Sequence, residues 1–220
     1  MEVWHRLKKS PMAVVGLILI AVLFIMAIFA NVIAPFTYSK QNLMHAFESP
    51  SSAYIFGTDE LGRDIFSRIV YGARISLQVG FIAVGISMFI GGFLGAVAGY
   101  YGGKIDNTLM RVMDILLSIP SILLAIAIAA SLGPGLFNLM IAVGISAIPN
   151  YARIVRGSVL SIRGQEFVEA AKAVGSSDLR IIFKHIIPNC LAPIIVQATL
   201  GVATAILTAA GLSFIGLGIQ

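Results

Sequence analysis

Residues 165–189, QEFVEAAKAVGSSDLRIIFKHIIPN, form an amphipathic island between apolar runs, and their reading decides how the whole chain is organised. Wound as a helix, the stretch brings Phe167, Ala170, Ala171 and Val174 to i, i+3, i+4 and i+7, so these four share one face while Glu166, Glu169 and Lys172 point elsewhere. Gly175 offers the left-handed residue that ends a helix, and Ser176, Ser177 and Asp178 offer acceptors that start another. The spacing predicts a helix, a break at Gly175, a second helix and a stop at Pro188. Small Ala170 and Ala171 between Phe167 and Val174 suit a helix that seats one aromatic ring in a partner's groove. Arg163, Lys172, Arg180 and Lys184 suit equally a helix lying on a lipid surface. Periodicity alone leaves both readings open.

Outward from this island, charge disappears. Residues 12–33, 75–103, 115–152 and 186–220 contain no Lys, Arg, Asp or Glu, and the chain is 58% hydrophobic and 11% charged with a mean hydropathy of +0.96. Apolar runs of that length are helices across a bilayer, so the fold class is an all-α, polytopic integral membrane protein. Five spans are visible. The first, residues 12–34, follows the basic amino terminus (residues 1–11, with Trp4, Arg6, Lys8 and Lys9) and is too long for a signal core. Residues 35–74 form a polar loop with a short lateral helix, capped by Thr58 or Asp59 and carrying an Asp64–Arg68 pair. The remaining spans lie within residues 75–220, starting near residues 75, 115, 136 and 190. Gly91, Gly95 and Gly99 form a flat strip for close helix packing in the second span. Pro120 predicts a kink in the third span, Arg111 pairs with Asp114 before it, and Pro149 with Asn150 breaks or bends the fourth.

The net charge of +5 does not indicate nucleic acid, because the basic residues sit in loops beside apolar spans and serve as topology signals and lipid head-group contacts. Eleven Lys and Arg fall on the amino-terminal side, including six in residues 153–188, against four on the other. That bias puts the amino terminus and the island in the cytoplasm. A single Cys190 and scattered His5, His45 and His185 give no metal motif. GYYGGK at residues 99–104 lacks Walker spacing, so no nucleotide site belongs to this chain. No acidic residue lies mid-span to carry protons. Sodium-coupled cotransport, with the ion held by backbone carbonyls and hydroxyls, stays open, but without a nucleotide site the sequence favours energy that arrives by contact, with the island as the natural port. A passive channel or facilitator, with the island as a mere interfacial anchor, is the rival from another class. A membrane enzyme finds no Ser/His pair, HExxH or carboxylate dyad.

Two groups of residues carry a resemblance. Glu169, Ala170, Ala171 and Gly175, followed by His185, Ile187, Pro188 and Asn189, resemble the EAA loop of bacterial ABC importer permeases. His185 and the separate words GTDELGRD and SRIVYGARISL narrow the resemblance to the dipeptide, oligopeptide and nickel family of binding-protein-dependent transport inner membrane components. It covers nearly the whole chain and implies a MetI-like helix bundle, with the EAA loop at about residues 153–188 inside the permease core. It also implies an ATPase-coupling set of Phe167, Glu169, Ala170, Ala171, Val174, Gly175, His185 and Pro188. The implied partners are a homologous second permease subunit, two cytoplasmic ABC ATPase subunits and an extracytoplasmic solute-binding protein. ATP and magnesium are expected in the ATPase subunits, with no cofactor on this chain. The implied activity is peptide import, or its nickel-carrying variant, across the bacterial inner membrane. The family pattern has a sixth helix beyond residue 220, which this sequence is expected to lack. Ser118, Ser121, Ser146, Asn150, Gln197, Thr199, Thr204 and Thr208 offer a weakly polar lining for a pathway, none of them assigned to substrate.

Overall fold

The structure is a computed structural model that describes residues 8–218. Trp4, His5 and Arg6, and the last two positions Ile219 and Gln220, lie outside the described residues. Among those described, the secondary structure is helical apart from an isolated bridge between Thr58 and Asp64. Four helices are long and apolar enough to cross a membrane, and a bent helix pair makes a fifth candidate, in agreement with the five spans read from the sequence. The chain divides into two units, Met1–Gln78 and Val79–Gln220.

In the first unit, α1 (Pro11–Ile28) is apolar on every side and almost wholly exposed. Pro11 begins it, where a missing N–H costs nothing. Phe29 interrupts the helix before one further turn, Ala30–Ile33. The loop that follows is organised by two carboxylates. Asp59 accepts the backbone N–H groups of Leu61 and Arg63, each at 2.9 Å, and its other oxygen takes Arg63 Nε at 2.7 Å together with the Arg68 guanidinium. Asp64 receives the Ser67 N–H at 2.8 Å and the Ser67 hydroxyl at 2.6 Å, which caps α2 (Ile65–Tyr101).

This corrects three expectations. The cap is Asp64, not Thr58 or Asp59. Arg68 pairs with Asp59 rather than Asp64, which is buried, takes Ser67 on one oxygen and leaves its other, Oδ1, without a hydrogen-bond partner among the described residues. No separate lateral helix precedes a span starting at residue 75, because residues 65–74 are the first turns of the 37-residue α2. Arg68 and Arg74 interrupt the apolar run but not the backbone ladder, and no proline intervenes.

In the second unit, the latter half of α2 packs on α5 (Leu136–Ile162) along the glycine strip. A Cβ placed on Gly95 meets the Ala152 carbonyl oxygen at 2.3 Å, and one on Gly91 meets that of Ile148 at 2.5 Å. Only bare backbone allows this approach. α3 (Gly103–Leu117) and α4 (Ser121–Leu132) meet at 85°, so Pro120 produces a sharp corner rather than a kink in a straight span. Asp114 pairs with Arg153 at 2.7 Å, not with Arg111, and Asp106 holds Arg156 through two bonds, one of 2.6 Å. Both pairs tie α3 to α5.

Neither Pro149 nor Pro188 interrupts its helix. α5 runs unbroken through Pro149, where buried Ile148, Tyr151, Ala152 and Val155 hold both halves of the helix in place and offset one lost hydrogen bond. Pro188 is no stop either: a single turn Asp178–Arg180, a π-helical segment Ile181–Ile186 and α7 (Ile187–Phe214) run on without a gap. Here the Ile187 N–H reaches back five residues to the Ile182 carbonyl. The wider turn gives the ring of Pro188 room one turn later and removes the clash that a regular helix would suffer.

Candidate functional site

The island folds as α6 (Glu166–Ala173), whose first turn carries Glu166 and Glu169 and whose last carries Lys172, each complementing the helix dipole. Its end is a Schellman motif: the Ser176 N–H bonds the Ala171 carbonyl at 3.1 Å and the Gly175 N–H bonds that of Lys172 at 2.9 Å. Gly175 adopts φ +76°, as that motif requires.

The four-residue apolar face read from the sequence is divided. Ala171 turns inward with Val168, which the periodicity missed, into a buried cluster with Val155, Val159, Ile181, Ile186 and Cys190. Phe167, Ala170 and Val174 stay on the free side, with Val174 80% exposed, and Glu169 and Gly175 are exposed beside them. His185 lies half-buried on the π segment, where its carbonyl accepts the Asn189 amide at 2.6 Å, and Pro188 is exposed at the start of α7. The structure thus leaves five of the eight predicted residues exposed on α6 and its Gly175 turn, turns Ala171 to the anchoring side, and puts His185 on the π segment and Pro188 in the first turn of α7. A signal for Val168 existed: it stands i, i+3 from Ala171, and β-branched Val suits the buried flank better than the exposed one.

Four residues outside the predicted set, Tyr100, Arg163, Lys172 and Asp178, hold the loop in place. The Tyr100 hydroxyl donates to Asp178 at 2.7 Å, the Lys172 ammonium sits 5.4 Å from the Tyr100 ring centroid, and Arg163 donates to the Gly99 carbonyl at 3.0 Å. Nothing in local periodicity pairs residues 78 positions apart.

A second feature lies deeper. A cavity of about 260 Å³ between α2, α4, α5 and α7 is lined by Ser87, Ser121, Ser146, Asn150, Tyr151, Gln197, Thr204 and Thr208 among small apolar residues. Six of these were among the eight polar positions singled out in the sequence. The other two, Ser118 and Thr199, bond carbonyls of their own helices and do not line it. Ser87, Ser146, Thr204 and Thr208 also give their protons to carbonyls one turn back. They turn acceptor lone pairs to the cavity, which carries no ionisable group other than the Tyr151 phenol. Such a wall offers hydrogen-bond acceptors, with the Asn150 and Gln197 amides beside them, and no fixed charge.

Comparison with known proteins adds to this geometry. Residues 91–220 match the family described as "Binding-protein-dependent transport system inner membrane component", and residues 1–50 match the "N-terminal TM domain of oligopeptide transport permease C". The chain is 54% identical over 219 residues to the "Dipeptide transport system permease protein DppC" of Alkalihalophilus pseudofirmus, covering all of this chain and 72% of that one. It is 45% identical over 214 residues to the "Oligopeptide transport system permease protein OppC" of Bacillus subtilis, covering 97% of this chain and 70% of that one. The backbone resembles an inward-facing structure of the MetNI methionine ABC transporter with a TM-score of 0.61 at 24% identity, over 69% of this chain and 76% of that one. The shared fold, the family match over residues 91–220 and relatives aligned along nearly the whole length place this chain in the family of binding-protein-dependent transport inner membrane components, the permease subunits of ABC importers.

Proposed function

We propose that this chain is the peptide-conducting permease subunit of an importer whose ATPase subunits engage the free side of α6. The observation that carries the reading is the division of that short helix: Val168 and Ala171 anchor it to the bundle while Phe167, Ala170 and Val174 remain uncovered. An apolar surface fixed in place from behind is ready to be gripped. Two ATPase subunits hold ATP and magnesium on the cytoplasmic side, and this chain contributes neither cofactor nor catalytic residue. A second, related permease subunit completes the pathway. An extracytoplasmic binding protein delivers the substrate. The relatives named for dipeptide and oligopeptide transport support peptides as cargo, and the uncharged, acceptor-rich cavity suits the N–H groups that every peptide shares.

In mechanism, closure of the ATPase dimer on ATP displaces α6, and the loop passes that displacement to α5 on one side and, through the π segment, to α7 on the other. Both helices line the cavity, so its walls shift and access alternates. The test is reconstitution with the ATPase subunits and binding protein. ATP-dependent dipeptide uptake is expected, together with co-purification of the ATPase. Glu169→Lys or Gly175→Pro is expected to reduce uptake at least about tenfold while insertion into the membrane persists. Uptake that continues without ATP in those variants overturns the reading in favour of a passive facilitator.

A further inference from the structure

The carboxyl end of α2 is held by three residues, one on each side of α6 and one within it. Arg163, just before α6, donates to the Gly99 carbonyl at 3.0 Å and the Tyr100 carbonyl at 3.4 Å, the acceptors that a helix end leaves free. Lys172, in the last turn of α6, lies over the Tyr100 ring, and Asp178, just after the Gly175 turn, accepts the Tyr100 hydroxyl at 2.7 Å. The same ring packs on the cluster that buries Val168 and Ala171. One tyrosine therefore touches the anchoring side of the loop through its ring and the exit of the loop through its hydroxyl.

From Tyr100, α2 runs without proline or interruption back to Ser87, about 20 Å away along the axis, where Ser87 forms part of the cavity wall. We infer that Tyr100 is a positioning residue through which displacement of the α6 loop is carried into α2, making this helix a third arm, besides α5 and α7, that moves the cavity wall. The inference rests on the reading of α6 as the ATPase contact. It predicts that the Tyr100–Asp178 bond governs how much transport each ATP yields, and not whether ATP is hydrolysed.

The experiment uses the complete transporter in proteoliposomes, with labelled alanyl-alanine as probe, and measures dipeptide taken up per ATP hydrolysed. Tyr100→Phe removes only the hydroxyl, and Asp178→Ala, at an exposed position, removes the carboxylate that accepts it and that also faces Tyr101. Each is expected to lower the ratio about threefold or more, the fold-change of one net hydrogen bond, with ATP hydrolysis kept near the native rate. The double variant is expected to fall no further than Asp178→Ala alone, because both changes break the same Tyr100–Asp178 bond. Asp178→Asn, whose carbonyl still accepts, is expected to keep the native ratio. A native ratio in both single variants, uptake and hydrolysis falling by the same factor, or losses that multiply in the double variant each overturn the inference. If Tyr100→Phe does not assemble, Asp178→Ala and Asp178→Asn decide the matter between them. Dipeptide uptake by the native complex without ATP is a different failure, since it removes the importer reading and this inference with it.

Discussion

At Gly95 the second and fourth spans meet through backbone alone. A single methyl group there has nowhere to go, because its carbon would lie 2.3 Å from the Ala152 carbonyl oxygen. Gly95→Ala is expected to force the helices apart and cost about 1–3 kcal/mol, read as a lower unfolding temperature in detergent. Gly85 is the control: on the same helix its added Cβ meets nothing within 4 Å, so Gly85→Ala is expected to be neutral or to stabilise by up to about 1 kcal/mol through helix propensity. Asp59 sets a pH response. Burial acts to raise its carboxyl, but the Arg63 N–H, the Arg63 guanidinium, the Leu61 N–H and the Arg63 charge outweigh it and hold the group below the usual carboxylate range. A folded value below the unfolded one means that the stabilisation is complete above about pH 4 and is lost as the pH falls through the depressed value. Amide exchange at Leu61 and Arg63 should accelerate in that window. In Asp59→Asn it should already be faster at neutral pH and insensitive to further acidification.

Among elements, α3 is bound to α5 by two ion pairs whose surroundings differ, and so should their worth. Asp106 is nearly buried and takes two bonds from Arg156, whereas the Asp114–Arg153 pair is 57% exposed on each side. Arg156→Ala strands a buried carboxylate and is expected to cost roughly 3 kcal/mol. Arg153→Ala is expected to cost under about 1 kcal/mol in the same unfolding measurement. The elements also mark where sequence reading works and where it ends. Apolar runs without charge located the spans, because a bilayer demands them, and the glycine strip announced its helix contact. Proline was a poor guide: Pro149 lies within a continuous helix, and Pro188 is accommodated by a π turn that no residue type announces. Spacing pairs Asp114 with nearby Arg111, but its partner is Arg153, 39 positions away, and no local pattern announces that Asp106 finds Arg156, 50 positions away. In the loop, periodicity found the helix and its Gly175 cap but not the rotation that sends Ala171 inward, which the long-range cluster around Ile181 and Val159 decides.

For the whole molecule, the proposed function requires the free side of α6 to face the cytoplasm, and the chain offers a clean way to ask. Its one cysteine, Cys190, is fully buried, so the native protein should react little with a membrane-impermeant maleimide. Val174→Cys puts a thiol at a position 80% exposed beside the Gly175 turn, and Phe47→Cys puts one at a position 75% exposed in the loop before α2. The bias of Lys and Arg predicts opposite sides of the membrane for these two positions. Val174→Cys is expected to label in inside-out vesicles and not in spheroplasts, and Phe47→Cys the reverse. Adding the ATPase subunits should protect Val174→Cys and leave Phe47→Cys unchanged, because a docked partner excludes the reagent only where it docks. Labelling of Val174→Cys from the outside would leave the energy source on the wrong side of the bilayer from the surface meant to receive it.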